Sequence, residues 1–441
     1  MTPAETPQRR VDIAGLRRIL AAKYPKVRAA LGAAGAGAAP ALRQQAMLCA
    51  VCADDQDAAM AIAREFLPNV PPLRPLRLAP LATLADYCRE HGLACTTAVA
   101  PLQVEIPPTE RYPVPASYTT EPALFASIPR AQFIPGWDFV IGEDDSVLHD
   151  TGYMPPGLAT GDFMTFHVGA LNCLIHHAPA EERYVDEEVL FLSAPRNSVG
   201  HWMVDFLPRL KGLEQLSGRK VKLALPANLH PRYAEMLFRF GVTPDDIVSC
   251  APGVRHRFKM CHVYKPGPCE PPNPVHVRFV REGLLRGEVP KKRSGKKVFL
   301  GRSSVGTRMI ANRAEFEHFL AREGITAVDP ADLDFAAQKE LLADADVILG
   351  PFGSNLFGMY LAPADCTVVV LMNAALEDPI FAATAALFGM KPRHVLCATA
   401  PESAGVREKD RDIVVDCAAL AGRLRDGQSD ALLELSQPAS A

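Results

Sequence analysis

From residue 188 to residue 425 the chain alternates short apolar runs with longer segments of helical period, and this alternation constrains the fold more than any other feature. A parallel strand buried on both faces reads as a run of Val, Ile and Leu, and a crossover helix must intervene before the next one. In the first series, strands are predicted at 188–193, 221–225, 247–250 and 260–264, with helices at 200–216 and 231–240. Pro266, Pro268, Pro271, Pro272 and Pro274 then interrupt the pattern. After a helical 275–285, a second series has strands at 298–300, 326–328, 347–349, 368–371, 394–397 and 413–415. Its helices fall at 313–323, 335–344, after Ser354, at 379–388 and at 418–425. Two such series across a proline-rich hinge predict an α/β protein with two Rossmann-like lobes facing a cleft. The lobes are set at 83–270 and 275–428.

Residues 1–70 form a different kind of segment. Runs at 11–23, 41–52 and 58–66 carry apolar residues at three- and four-residue spacing, broken by Gly32, Gly35, Gly37 and Pro40. This is a helical appendage, for packing, oligomerisation or a partner. Pro68, Pro71, Pro72, Pro75 and Pro80 mark 68–82 as a semi-rigid linker. Between 83 and 165 the pattern is irregular, with short strands predicted at 103–106, 139–141 and 163–167, a hairpin turn at 143–145, and Tyr112 and Tyr118 in loops.

Bulk properties exclude several classes. A formal net charge of −3 argues against a general nucleic-acid binder. No uninterrupted apolar run approaches the roughly 18 residues of a membrane span, and no apolar core follows Arg9 and Arg10, so no secretory leader is expected. The 11 cysteines are scattered and odd in number, which suits reduced thiols in a cytoplasm. Cys49 and Cys52 form a lone CxxC on a helical stretch, read as core thiols. His176 and His177 lack a third ligand at a metal-binding spacing.

Candidate chemistry gathers at predicted strand ends. In 346–360 (DVILGPFGSNLFGMY), Gly350, Pro351 and Gly353 break an apolar strand before a helix. Strand, glycine turn and helix together aim free backbone N–H groups at an anion, with Ser354 and Asn355 placed as N-caps or ligand contacts. Arg302 and Ser303 follow another strand, where an arginine can grip a diphosphate bidentately; Arg308, Asn312 and Arg313 lie downstream. Glu377 and Asp378 stand before Pro379, suited to a helix cap or to a ribose hydroxyl. Asp329 reads as a helix-start residue. At 197–210 (NSVGHWMVDFLPRL), His201, Asp205 and Arg209 share a helix face at i, i+4 spacing. They are either a surface ladder capped by Asn197 or Ser198, or a general base with its partner. Trp202 pairs with Phe206 as core, or stacks on a sugar. The basic run Lys291, Lys292, Arg293, Lys296 and Lys297 is a solvated loop or a patch for an anionic membrane surface or glycan.

These segments resemble, in order, the glycosyltransferase family 61 domain of capsular polysaccharide biosynthesis proteins, over roughly residues 137–400. Residues 200–210 (GHWMVDFLPRL) are similar to the family's His-Trp-x-x-Asp-x-Leu-Pro-Arg-Leu signature. Leu300-Gly301-Arg302 stands for its Ile-Ser-Arg, Asn312-Arg313 for its Arg-x-x-x-Asn segment, and 348–356 (ILGPFGSNL) for its Gly-Pro-His-Gly-Ala-Gly-Leu. Phe352 replaces the family histidine, Gly301 a serine and Asn355 the last glycine of the turn.

The resemblance implies a GT-B-like fold with the acceptor on the first lobe and a nucleotide-diphosphate sugar on the second. It implies an inverting, metal-independent glycosyltransferase without cofactor, making a surface or capsular polysaccharide. Catalysis is expected at His201 and Asp205. Donor contacts are expected at Arg302, Ser303, Gly353, Ser354, Asn355 and Glu377, with further contacts at Asn197, Trp202, Arg209 and Arg308. Expected partners are a nucleotide sugar and a glycan, at the cytoplasmic face of a membrane or free in the cytoplasm. The alternatives are a catalytically silent nucleotide-sugar or glycan-binding subunit and a two-lobed sugar-nucleotide epimerase.

Overall fold

The computed structural model describes residues 13–425 except 67–75, 110, 113–115, 137–138, 153–158, 161–162, 169–170, 178–180, 195–197, 269–270, 289–293, 303–305 and 402–405. Three helices, α1 (Ile13–Ala34), α2 (Pro40–Cys52) and α3 (Gln56–Phe66), pack around a core of their own that includes Leu20, Met47, Leu48 and Ile62. The sequence predicts that α1 ends at Lys23, but it runs through Pro25. Tyr24 is buried in that core and Val27 and Leu31 pack on it, which offsets the interior proline. Cys49 and Cys52 face this core region, and burial pushes both thiols up, Cys52 to about 11.

The second half of the expected linker is a strand, Leu76–Ala82. It pairs antiparallel with Leu171–His177 up to Pro80, then parallel with Val147–Leu148 from Leu81. Pro80 is tolerated because it sits where one ladder hands over to the other.

The first lobe has a parallel core of β1 (Glu181–Phe191), β2 (Lys222–Pro226), β3 (Ile247–Cys250) and β4 (Val254–Lys265), in the order β3-β2-β1-β4. Mostly antiparallel strands extend it beyond β4, including Ala123–Pro129, to 13 strands among the described residues. The second lobe is β5 (Lys296–Leu300), β6 (Ile325–Val328), β7 (Ala345–Pro351), β8 (Thr367–Met372) and β9 (Lys391–Leu396), all parallel, in the order β6-β5-β7-β8-β9. Each order reverses once, between β1 and β4 and between β5 and β7. Such reversals open a crevice at the carboxyl ends of the strands. The architecture is the GT-B-like pair of Rossmann-like lobes.

The lobes are joined along a shared core. Helix α4 (Pro231–Arg239) belongs to the first lobe, and α5 (Pro274–Leu285) follows the proline cluster. From α5, Val277, Val280 and Leu284 pack into one cluster with Leu210 and Leu237 of the first lobe and Met359 and Leu361 of the second. Arg281 donates to Ala362 O at 2.6 Å and to Met359 O at 3.3 Å. The hairpin Gln103–Ile106 and Ala116–Thr119 reaches across to the second lobe, where Ile106 packs on Ala382 and Ala383. Arg111 donates to Ala374 O at 3.0 Å, and Thr109 Oγ1 bonds His394 Nδ1 at 3.0 Å.

Two predicted α-helices have another form. The segment after β1 is one α-turn (Val199–His201), a π-turn (Trp202–Phe206) and a 3₁₀ run (Leu207–Leu216). Pro208 has no N–H and its ring disturbs the preceding turn, so Leu207 N reaches back to Trp202 O and widens it. The segment after β7 is a 3₁₀ run, Ser354–Leu361, whose N-cap is Gly353 rather than Ser354 or Asn355.

Candidate active site at the lobe junction

At the second-lobe reversal, β5 leads into Gly301 and Arg302, and β7 leads into Phe352 and Gly353. Gly301 N donates to Val328 O at 2.7 Å, which holds the start of the turn. Arg302 is 8% exposed and its Nη1 donates to Phe352 O at 2.8 Å. An added Cβ on Gly353 would fall on Arg302 Nη1, so only glycine lets the guanidinium cross the turn. Asn355 Nδ2 donates to Gly301 O and ties the two strand ends together. Arg308 lies with its Cζ 5.8 Å from the Phe352 ring centre.

Among the described residues neither Arg302 nor Arg308 forms an ion pair, and the Nε of each is buried without a partner. Burial, and secondarily the charge of Arg308, pushes Arg302 down to about 10, so it remains a cation at neutral pH. Burial also lowers Arg308, while Asp410 opposes that shift. Asp329 and Asp410 offset part of the charge of Arg302 from a distance, but among the described residues neither arginine has a carboxylate in direct contact, and an anion between them would complete both.

At the first-lobe reversal, Ser198 Oγ accepts His201 N at 3.3 Å and starts the helical segment after β1. His201 Nδ1 lies 2.8 Å from Asp205 Oδ2, with the histidine side chain 31% exposed and the carboxylate 11%. The carboxylate holds the proton on Nδ1 and leaves the ring's lone pair on Nε2, the arrangement of a general base with its orienting acid.

Arg209 belongs to the interior and not to a ligand. It is 3% exposed, donates through Nε to Asp205 O at 3.1 Å and through Nη1 to Leu192 O at 3.3 Å, and packs on the rings of Phe206 and Phe191. Trp202 is also corrected from a contact residue to core: it is fully buried and stacked on Tyr233 at 4.8 Å. Glu377 lies at the surface and lines neither of the two cavities that reach Arg302. Its side chain is 82% exposed, 3.6 Å from Arg111. Asp378 caps the following helix through Ile380 N. Asn312 bonds Val415 on both its amide atoms, and Lys296 pairs with Asp344. Asn197, Ser303, Lys291, Lys292 and Arg293, and the side chains of His176 and His177, lie outside the described residues.

The two reversals meet. A Cβ on Gly200 would lie 2.8 Å from Ser354 Oγ and 3.0 Å from the Phe357 ring, so glycine sets the closeness of the lobes. A cavity of about 310 Å³ opens beside this contact, lined by Ser198 and His230 from the first lobe and by Arg302, Gln338, Ser354 and Asn355 from the second. A second cavity, about 270 Å³, also reaches Arg302, with Phe299, Phe316 and Leu320 on its apolar side and Arg308, Asp329 and Asp332 among its polar residues. His201 and Asp205 line neither cavity. Gln338 and His230 were not singled out by the sequence. For His230 the signal was its place before Pro231, at a helix start; for Gln338 no local signal exists.

The family model described as Glycosyltransferase 61 matches residues 199–369. Nothing among curated proteins matches the chain. Among solved structures, one similar chain is a bacterial iron-containing dodecameric glycosyltransferase, TibC, from enterotoxigenic E. coli H10407. It shows 12% identity over 59% of this chain and 79% of that one, with a TM-score of 0.27. Another is the dodecameric iron-containing heptosyltransferase TibC in complex with ADP-D-beta-D-heptose, at 14% identity over 63% of this chain and 80% of that one, with a TM-score of 0.28. At such TM-scores the likeness carries no argument. The matched segment opens at the helix of His201 and closes in β8, beyond the turn of Gly353, so the part of the chain that holds both reversal sites is similar to the Glycosyltransferase 61 model.

Proposed function

We propose that the protein transfers a sugar from a nucleotide-diphosphate donor to a hydroxyl of a glycan acceptor. The observation that carries this reading is Arg302, a buried cation whose Nε has no partner, at the carboxyl end of β5 and on the wall of two cavities. A diphosphate completes it, and Arg308 adds a second positive charge. In the reaction, the acceptor O–H gives its proton to His201 Nε2 while its oxygen bonds the anomeric carbon. The bond from that carbon to the diphosphate oxygen breaks, and its electron pair leaves with the nucleotide. Asp205 stabilises the imidazolium that forms. Arg302 and the N–H groups of the Gly353 turn stabilise the departing charge. The guanidinium groups supply positive charge there, so the reading requires neither a metal ion nor a cofactor. A single displacement inverts the anomeric centre, as the family resemblance implies.

The same resemblance extends the proposal to a surface or capsular polysaccharide assembled on the cytoplasmic side. No described helix is long and apolar enough to cross a membrane. The test is a panel of nucleotide sugars incubated with the purified protein and candidate glycans, following nucleotide release and the glycan product. Glycan extension from one donor, lost in Arg302→Ala and in His201→Ala, supports the reading. An isomeric nucleotide sugar formed without acceptor identifies an epimerase. Donor binding with no turnover on any glycan identifies a silent binding subunit.

A further inference from the structure

The cavity between the lobes carries polar groups that binding a diphosphate does not use. Gln338 donates through Nε2 to two backbone carbonyls, Pro330 O at 2.8 Å and Leu333 O at 3.1 Å. Both amide hydrogens are consumed and the amide orientation is set, so what this cavity-lining side chain has left for a ligand is its acceptor Oε1. Asn355 is tied at one point: Nδ2 donates one hydrogen to Gly301 O, which orients the amide and leaves Oδ1 as an acceptor and one N–H as a donor. On the first lobe, His230 Nδ1 accepts the Arg232 N–H at 3.2 Å, with the Tyr233 ring 5.3 Å away. In the neutral ring the proton is then on Nε2, which makes His230 a donor. Phe335 and Phe357 supply apolar surface between these groups, and no carboxylate lines the cavity among the described residues.

A fixed acceptor with no hydrogen to give, as Gln338 is, selects a ligand donor. A ring that carries hydroxyl groups around an apolar C–H face meets both demands. We infer that this cavity is the subsite for the sugar of the donor, with Gln338 and Asn355 accepting from its hydroxyls and His230 donating to one. The inference rests on the transferase reading of Arg302, which lines the same cavity and places the diphosphate at its edge. It makes Gln338 a specificity-determining residue: a sugar lacking the hydroxyl that Oε1 accepts leaves a buried acceptor unpaired.

The test is titration calorimetry on the full chain with a nucleoside diphosphate, its hexose conjugate and the conjugate's single-deoxy analogues. In the unmodified protein the hexose is expected to strengthen binding over the bare diphosphate. Removal of one particular hydroxyl is expected to weaken it about ten-fold. In Gln338→Leu that hydroxyl no longer matters, while the bare diphosphate binds as before. Deoxy analogues that all bind the unmodified protein equally well overturn the inference without any variant. So does a folded Gln338→Leu protein that keeps the discrimination. The transferase reading fails separately. If no nucleotide binds but a methyl hexoside does, and Gln338→Leu abolishes that, the sugar subsite stands and the donor reading falls. If neither ligand binds, both fall.

Discussion

Each lobe buries one arginine beside its reversal, and the two are treated differently. Arg209, in the first lobe, is surrounded: two carbonyls take its N–H groups and two phenylalanine rings cover its faces. Arg302, in the second, has one carbonyl, an empty Nε and a second arginine as its neighbour. The first cation is finished by the fold. The second is left short of partners: Asp329 and Asp410 act on it only from a distance, and a buried charge without a direct hydrogen-bonded counter-charge is unfavourable. Equal burial therefore marks opposite roles, and what separates them is the count of satisfied donors.

The comparison can be broken in order of expected effect. Arg209→Met is expected to destabilise the protein by about 3–5 kcal/mol, because it strands the Asp205 and Leu192 carbonyls inside. Urea unfolding checks it, and a loss as large in Arg302→Ala would erase the distinction. His201→Ala is expected to lower the transfer rate about 10²–10⁴-fold with the unfolding midpoint unchanged, since general-base catalysis contributes in that range. Steady-state kinetics beside a melt would reveal a structural role instead. Arg302→Ala is expected to reduce kcat/KM about 10²–10³-fold by withdrawing charge from the leaving diphosphate.

His276 supplies a third buried basic group, satisfied in yet another way. It accepts the Tyr264 hydroxyl at 2.8 Å as a neutral ring, and burial, then the charge of Lys211, pushes it from 6.5 down to about 4. Below pH 6.5 the unfolded chain takes up a proton that the folded one refuses, so stability present above 6.5 falls as the pH drops toward 4. The expected loss between pH 6.5 and 5 is about 2 kcal/mol, and His276→Gln flattens that limb in a series of urea titrations. The smallest effect is that of Gly353→Ala. The new Cβ falls on the Arg302 guanidinium and displaces it, at a backbone conformation that side chains rarely adopt. Donor affinity is then expected to drop about ten-fold, the loss of one charge-assisted hydrogen bond, and the melting temperature to fall modestly from the backbone strain.

Much of the fold was legible because its signals are local. Runs such as Val368–Leu371 read as buried strands, and Gly350, Pro351 and Gly353 marked the turn that follows one of them. The His201–Asp205 spacing placed the two side chains on one face whether the turn became α or π. The hairpin at 103–119 was visible as strands, but its destination on the second lobe was not, since Ile106 looks the same whichever lobe covers it.

The sequence by itself determined the two α/β series, the order of the strand-end motifs and the pairing of His201 with Asp205. Each depends on residues within a few positions of one another, where periodicity and sterics act directly. Only the tertiary structure decided which arginine is finished and which is open, why Trp202 is core, and that Glu377 faces outward. It alone brought Gln338 and His230 to one cavity. Those outcomes depend on partners dozens to hundreds of residues away, and burial and hydrogen-bond satisfaction exist only once such partners have met.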